Sequence, residues 1–296
     1  VIFKKGSDGM KNIIVSTENT CDLTPEILNA RNIPVVSMHY FLNDKEFDCT
    51  QPFDASEFYG AMRDGAMTRT SMINEYDAEK YLRSLMEQGK DVVHVSFASA
   101  CSGTVNNFLR VAEKLNKEYS NKVYVVDSMA ESGGQGLLVV LTDNFAETGK
   151  SAKEVYDYAM EMRNHVCHYF CVDSIKYLAR GGRVSKVAGF IGSLINIKPV
   201  LYTDPEGKLT ALHKEITRKR SLNRLVDYMQ KKYDKASDLV YITYADCLGD
   251  AQFVAAQIEE KFGVTPVLMP LGPVIGSHSG PGTVALFFTS QDRVNR

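Results

Sequence analysis

Ser102 and His278 are the residues whose chemistry must be tested first. Ser102 lies in Ser96-Phe97-Ala98-Ser99-Ala100-Cys101-Ser102-Gly103-Thr104, and His278 lies in Val274-Ile275-Gly276-Ser277-His278-Ser279-Gly280-Pro281-Gly282. A serine beside a histidine can be the nucleophile and base of acyl transfer. The Gly-x-Ser-x-Gly elbow of such hydrolases is absent, because the local order is Ala100-Cys101-Ser102-Gly103-Thr104, and no acid is marked as a third member. The same residue types suit a second task. Hydroxyls at Thr70, Ser71, Ser102 and Thr104, with helix N-terminal amides near Gly103, can hold a carboxylate without reacting with it. Ser102 also has the plain role of capping the helix that follows it.

Two other chemistries are weaker. His165-Val166-Cys167-His168-Tyr169-Phe170-Cys171 packs four ligand-type side chains into seven residues. The segment runs into an apolar strand, and alternation turns His168 and Cys171 to opposite faces, so no metal is expected. Gly133-Gly134-Gln135-Gly136 opens a helix after a strand, but Val139 stands where a dinucleotide fingerprint needs its last Gly. Those glycines suit close helix–sheet packing, and the chain has no Walker-type phosphate loop.

These residues must be positioned by secondary structure. Apolar runs predict strands over 11–17, 35–42, 91–97 and 123–127. Helices are predicted from Pro25, from Asp54 in capping-box fashion, and over 74–88, 103–119 and 133–148. Strands alternating with helices imply a parallel, doubly wound sheet, in which ligands bind beyond the strand carboxyl ends. Segments 96–104 and 16–20 lie at such ends. A helix over 151–164 leads to a second unit. There the strand 169–173 precedes a short helix, Gly181-Gly182-Arg183 and an apolar helix over 184–195. A hairpin turns at Asp204-Pro205-Glu206-Gly207. A helix over 218–233, a strand over 239–244 and a helix over 249–262 follow. The final strands, 266–271 and 283–289, flank the histidine motif, which reads as a Gly-rich turn open to a ligand. The fold class is therefore α/β with two domains: a parallel-sheet α/β domain over 10–165 and an α+β domain with a mixed sheet over 166–296.

Composition excludes some functions. The 296 residues are 44% hydrophobic and carry a formal net charge of −2, which gives no field for nucleic acid. The six cysteines form no CxxC, which fits reduced thiols in a cytoplasmic protein. Residues 1–9 match no element and read as an appended remnant, with a natural start near Met10.

Five motifs in order resemble the DegV family, fatty-acid-binding proteins related to the FakB subunits of bacterial fatty acid kinase. Residues 17–23 resemble its opening Asp-Ser-Thr/Ser-x-Asp-Leu. Thr70-Ser71 resembles its Thr-Ser-Gln-Pro, and Ser102-Gly103-Thr104 its Leu-Ser-Gly-Thr. Residues 172–185, followed by Asn196-Ile197-Lys198-Pro199, resemble its Gly-Gly-Arg-x-Ser segment. The sequence from Gly272 to Gly282 is the nearest match. Glu18-Asn19-Thr20, Met72-Ile73 and Cys101 depart from the family pattern, which bears on the entrance and on chain selectivity.

The resemblance implies a non-catalytic lipid carrier without a cofactor, holding one long-chain fatty acid between its domains. It implies a carboxylate site at Thr70, Ser71, Ser102, Gly103, His278 and Ser279. An acyl tail would run against Phe190, Ile191, Leu194 and Ile275. Arg218 would present the acyl group to an ATP-dependent fatty acid kinase, which makes acyl phosphate for phospholipid synthesis, with transient membrane contact allowed. The alternatives are an acyl hydrolase or thioesterase using Ser102 and His278, and a lipid-responsive interaction protein with no kinase.

Overall fold

The computed structural model describes residues 12–49, 53–183 and 197–293. The described residues start with β1 (Ile13–Glu18), one 3-10 turn at Asn19–Cys21, and α1 (Pro25–Arg31), with Pro25 in its first turn. Next come β2 (Val35–Val36), β3 (Tyr40–Leu42), β4 (Lys45–Phe47), α2 (Ala55–Arg63) and β5 (Thr68–Thr70). They are followed by α3 (Glu75–Met86), β6 (Asp91–Ser96), α4 (Thr104–Glu118), β7 (Val123–Asp127), α5 (Gly133–Ala146) and α6 (Ala152–Met162). Asp54, Asn74 and Ser151 cap α2, α3 and α6, accepting from the N–H groups of Glu57, Asp77 and Glu154. The C-terminal part has β8 (Val166–Cys171), α7 (Lys176–Gly181), β9 (Lys198–Thr203), β10 (Leu209–Glu215), α8 (Arg218–Lys232) and β11 (Tyr241–Tyr244). It ends with α9 (Leu248–Phe262), β12 (Val267–Pro270), α10 (Pro273–Ser279) and β13 (Val284–Thr289).

The N-terminal domain is built on a parallel sheet in the order β2-β1-β6-β7. The order reverses between β1 and β6, so the crevice beyond their carboxyl ends is the switch point where doubly wound sheets take ligands. The C-terminal region has a mixed sheet in the order β10-β9-β8-β13-β11-β12, parallel only between β11 and β12. α8 and α9 cover one face of it, around Tyr169, Leu225 and Phe288. The other face packs on α5, which also lies against β1 and β6. One core cluster therefore runs through both sheets, from Val15 and Val95 across Leu137 and Val140 to Phe170 and Phe287. α5 is buried almost all round, and its first turn is glycine-rich because two sheets close on it. Alternation along β8 turns His168 toward Phe287 and Cys167, Tyr169 and Cys171 toward α8, so the four ligand-type side chains of that segment do not converge. No described helix is long and apolar enough to cross a membrane.

Two expectations are corrected. The run 35–42 is not one strand. β2 pairs with β1, whereas β3 joins a separate antiparallel sheet ordered β4-β3-β5. The break is held by Asn19, whose side chain accepts from Met38 N (2.9 Å) and donates to Met38 O (3.2 Å), replacing the ladder bonds there. The histidine motif is not an open turn, because Pro273–Ser279 form α10. Pro273 starts it, and Gly280 N–H closes it on Gly276 O at 2.8 Å. Gly276 serves packing rather than a ligand: the Tyr59 ring crosses the helix where a side chain would stand, and its hydroxyl donates to Leu271 O at 2.8 Å.

Candidate functional site

A cavity of about 570 Å3 opens at the switch point, between the end of β6, β5, α10 and the inner face of the mixed sheet. Its wall includes Thr70, Ser71, Ser102, Gly103, His278 and Ser279, so the six residues singled out for carboxylate binding face one space. Ile275 is also in the wall. Phe190, Ile191 and Leu194 lie outside the described residues.

The loop carrying Ser102 is fixed from below by Glu18. This carboxylate is fully buried at the end of β1. It accepts from Ser96 Oγ (2.6 Å), Phe97 N (2.8 Å) and Gln135 Nε2 (2.7 Å), and His94 Nε2 lies 3.2 Å away. A buried carboxylate with this many partners is satisfied, and it locks the strand end from which the loop departs. Cys101 and Ser102 then turn back, both N–H groups reaching Ala98 O. Ser102 Oγ accepts from Thr104 N at 3.2 Å and lies 3.0 Å from Thr104 Oγ1. Thr104 Oγ1 accepts from Ile73 N at 3.2 Å, and Asn107 Nδ2 donates to Ile73 O at 2.7 Å. α4 thereby holds the segment after β5, which brings Thr70 and Ser71 opposite Ser102.

His278 comes from α10. Its Nε2 lies 2.8 Å from Thr70 Oγ1, and its Nδ1 is buried without a hydrogen-bond partner. Burial, reinforced by the guanidinium charges of Arg183 and Arg180, lowers its pKa to about 4, so the imidazole is neutral at ordinary pH. Ser279 Oγ is likewise buried without a partner. This end of the cavity therefore holds the hydroxyls of Thr70, Ser71 and Ser102, one neutral ring, and two unspent polar atoms on His278 and Ser279.

This geometry differs from a hydrolytic triad. His278 is bonded to Thr70 rather than Ser102, and no carboxylate orients its Nδ1. Arg218 stands apart from the cavity wall. It starts α8, where it donates to Asp250 Oδ2 (2.8 Å) and Gly282 O (2.6 Å), and lies against Cys171 Sγ (3.4 Å). Arg183, His168 and Glu131 are among the wall residues not foreseen as site residues. Arg183, exposed at the rim, was legible only as part of Gly181-Gly182-Arg183. His168 was weighed as a metal ligand. Glu131 had no signal, being one acid in a loop before α5.

The family model described as "Uncharacterised protein, DegV family" matches residues 12–291. A DegV domain-containing protein of Clostridium perfringens, CPE0026, is 35% identical over 284 residues, covering 94% of this chain and 98% of its own. YteA of Lactococcus lactis, also a DegV domain-containing protein, is 30% identical over 281 residues, covering 94% and 97%. Among solved structures, a fatty-acid-binding DegV family protein from Thermus thermophilus superposes with a TM-score of 0.85 at 24% identity, covering 94% of this chain and 99% of that one. A stearic-acid-binding protein from Eubacterium ventriosum gives 0.85 at 21% identity, covering 94% and 98%. With the matched model reaching from β1 to beyond β13, and with relatives aligned along nearly their whole length, this chain belongs to the DegV family.

Proposed function

We propose that this protein binds one long-chain fatty acid in the cavity between its N-terminal unit (10–165) and its C-terminal unit (166–296). It presents the carboxyl group to a partner kinase that uses ATP to form acyl phosphate in phospholipid metabolism. The protein itself is a cytoplasmic carrier and not a catalyst. The observation that carries this reading is the pairing of Thr70 and His278 opposite Ser102 at one apolar cavity. Its relatives from Thermus thermophilus and Eubacterium ventriosum bind fatty acids, which supports the same ligand here.

The physical argument is direct. A buried CH2 contributes about 0.8 kcal/mol, so about 15 methylenes contribute roughly 12 kcal/mol before ordering costs. A carboxylate at the cavity end needs donors. Ser102 supplies one hydroxyl. In the tautomer with its proton on Nε2, neutral His278 donates to Thr70 Oγ1 and leaves the Thr70 hydroxyl proton free as the second. Ser71, Gly103 and Ser279 line the same end and complete the polar surround. Neutral donors bind more weakly than an ion pair would, which leaves the carboxyl available to a kinase.

Organic extraction of the purified protein followed by mass spectrometry tests the reading. One fatty acid per chain is expected. An empty protein that also fails to take up added fatty acid would overturn it. Turnover of a nitrophenyl acyl ester that disappears in Ser102→Ala would instead establish the hydrolase. Bound lipid without kinase-dependent acyl phosphate would point to a lipid-responsive interaction protein.

A further inference from the structure

The cavity wall has a second polar group of residues, distinct from Thr70, Ser102 and His278. Glu131 and His168 both line the cavity and are 8% and 2% exposed. Glu131 Oε2 accepts from Thr203 Oγ1 at 2.8 Å and lies 3.5 Å from His168 Nδ1, while Oε1 lies 3.4 Å from Cys101 Sγ. His168 Nδ1 has only that 3.5 Å contact and Nε2 has no hydrogen-bond partner, although the ring is almost wholly buried. An alkyl chain alone gains nothing from these groups. Methylenes laid over them would shut the unsatisfied imidazole nitrogens and the remaining lone pairs of Glu131 away from water, which costs binding energy.

We propose that the fatty acid this cavity takes carries a hydroxyl group on its alkyl chain, held between Glu131 and His168. The inference rests on the fatty-acid reading above. The choice of a hydroxyl follows from the donors and acceptors present. Glu131 has lone pairs beyond those used by Thr203 and Cys101, so the ligand group must donate. His168 is neutral, its pKa lowered to about 4 by burial, with the buried Arg293 adding to the effect. A neutral ring offers one N–H and one lone pair, so a group that both donates and accepts suits it. A keto group only accepts and an ammonium only donates, whereas a hydroxyl does both. A second cation is also unneeded, because Arg293 already places positive charge near Glu131.

Calorimetric titration of the delipidated full chain with stearate, 3-hydroxystearate and 12-hydroxystearate tests this. One hydroxy acid is expected to bind about tenfold more tightly than stearate, the worth of a satisfied buried hydrogen-bonding pair. Glu131→Ala is expected to reverse that order by tightening stearate and weakening the hydroxy acid. Thr203→Val, which removes a competing donor and keeps the carboxylate, is expected to preserve the order. Equal affinity of the wild type for all three lipids would mean that the groups serve bound water, and would overturn the hydroxyl site while leaving the fatty-acid reading in place. Binding of none of them removes both. The wild-type comparison stands even if a variant does not fold.

Discussion

Thr70 Oγ1 and His278 Nε2 meet at 2.8 Å across 208 residues of sequence, and the contact joins the edge sheet of the N-terminal domain to α10. It makes each residue define the other: the hydroxyl gives the buried ring its one partner, and the tautomer of the ring sets whether the hydroxyl donates or accepts. Thr70→Val keeps the shape and removes the hydroxyl. The expected result is fatty-acid binding weakened by about 1–3 kcal/mol, because a donor to the carboxylate is lost and His278 is left unpartnered. Ser102→Ala is expected to weaken binding by a similar amount. Titration calorimetry on delipidated protein reads both, and undiminished affinity in either variant would remove that residue from the head-group site.

Gly181 and Gly182 separate site geometry from stability. A methyl group at Gly181 would run into His278 Nδ1. Helix propensity favours alanine at the end of α7, so Gly181→Ala should fold, yet it should push His278 off Thr70 and reduce lipid affinity at least about tenfold. Gly182 caps α7 at φ +69° with open space around it. Gly182→Ala should cost roughly 1 kcal/mol of stability and leave lipid affinity unchanged. Thermal melts beside lipid titrations distinguish the two, and the reverse pattern would contradict the placement of His278.

The parallel sheet, α1, α3–α6 and the β9–β10 hairpin were legible because long periodic runs and helix starts such as Pro25 in α1 are local signals. Ser102 and His278 were legible as polar residues beside apolar runs, whereas Thr70 and Ser71 were legible only as hydroxyls with no element to place them. The chain did not disclose β4 and β5, three residues each, which are too short for alternation to show. It concealed α10 as well, since three glycines in nine residues mark a turn unless tertiary packing demands them. That demand comes from Tyr59, 217 positions before Gly276, and no local pattern reports it. Glu131 and His168 were illegible as a pair for the same reason: β8 and the loop before α5 meet only when both sheets close on that helix.

The two buried neutral histidines make stability depend on pH. His278 and His168 each have a folded pKa near 4, below the unfolded value near 6.5. Between those values the unfolded chain binds protons that the folded chain refuses, so their contribution is complete above pH 6.5 and is lost as pH falls toward 4. Asp22 acts oppositely. Burial raises its pKa to about 7, so the folded state binds its proton first and gains stability as pH falls. The wild-type slope is therefore a partial cancellation, and the difference from a variant is the useful measurement. In His278→Asn the slope of unfolding free energy between pH 6.5 and 4.5 should be less positive by most of one proton, about 1 kcal/mol per pH unit. Urea titrations across that range read it, and identical slopes would show that His278 is not buried in neutral form.

Arg218 allows the proposed presentation to a kinase to be separated from the proposed lipid binding. Its guanidinium is tied to Asp250 and to Gly282 O, outside the cavity wall, with its side chain 21% exposed. Arg218→Gln should therefore leave bound lipid in place. It should lower stability by about 1–3 kcal/mol, because Asp250 and the Gly282 carbonyl each lose a charged donor. If the exposed edge of the guanidinium also meets the partner, acyl phosphate formation with kinase and ATP should fall at least about tenfold at temperatures where the variant is fully folded and loaded. Asp250→Asn supplies the control: it loosens the same tie and keeps the arginine. Reduced turnover in Arg218→Gln alone assigns the arginine to the partner interface. Equal loss in both variants would mean that Arg218 acts only by holding the 280–282 loop beside His278.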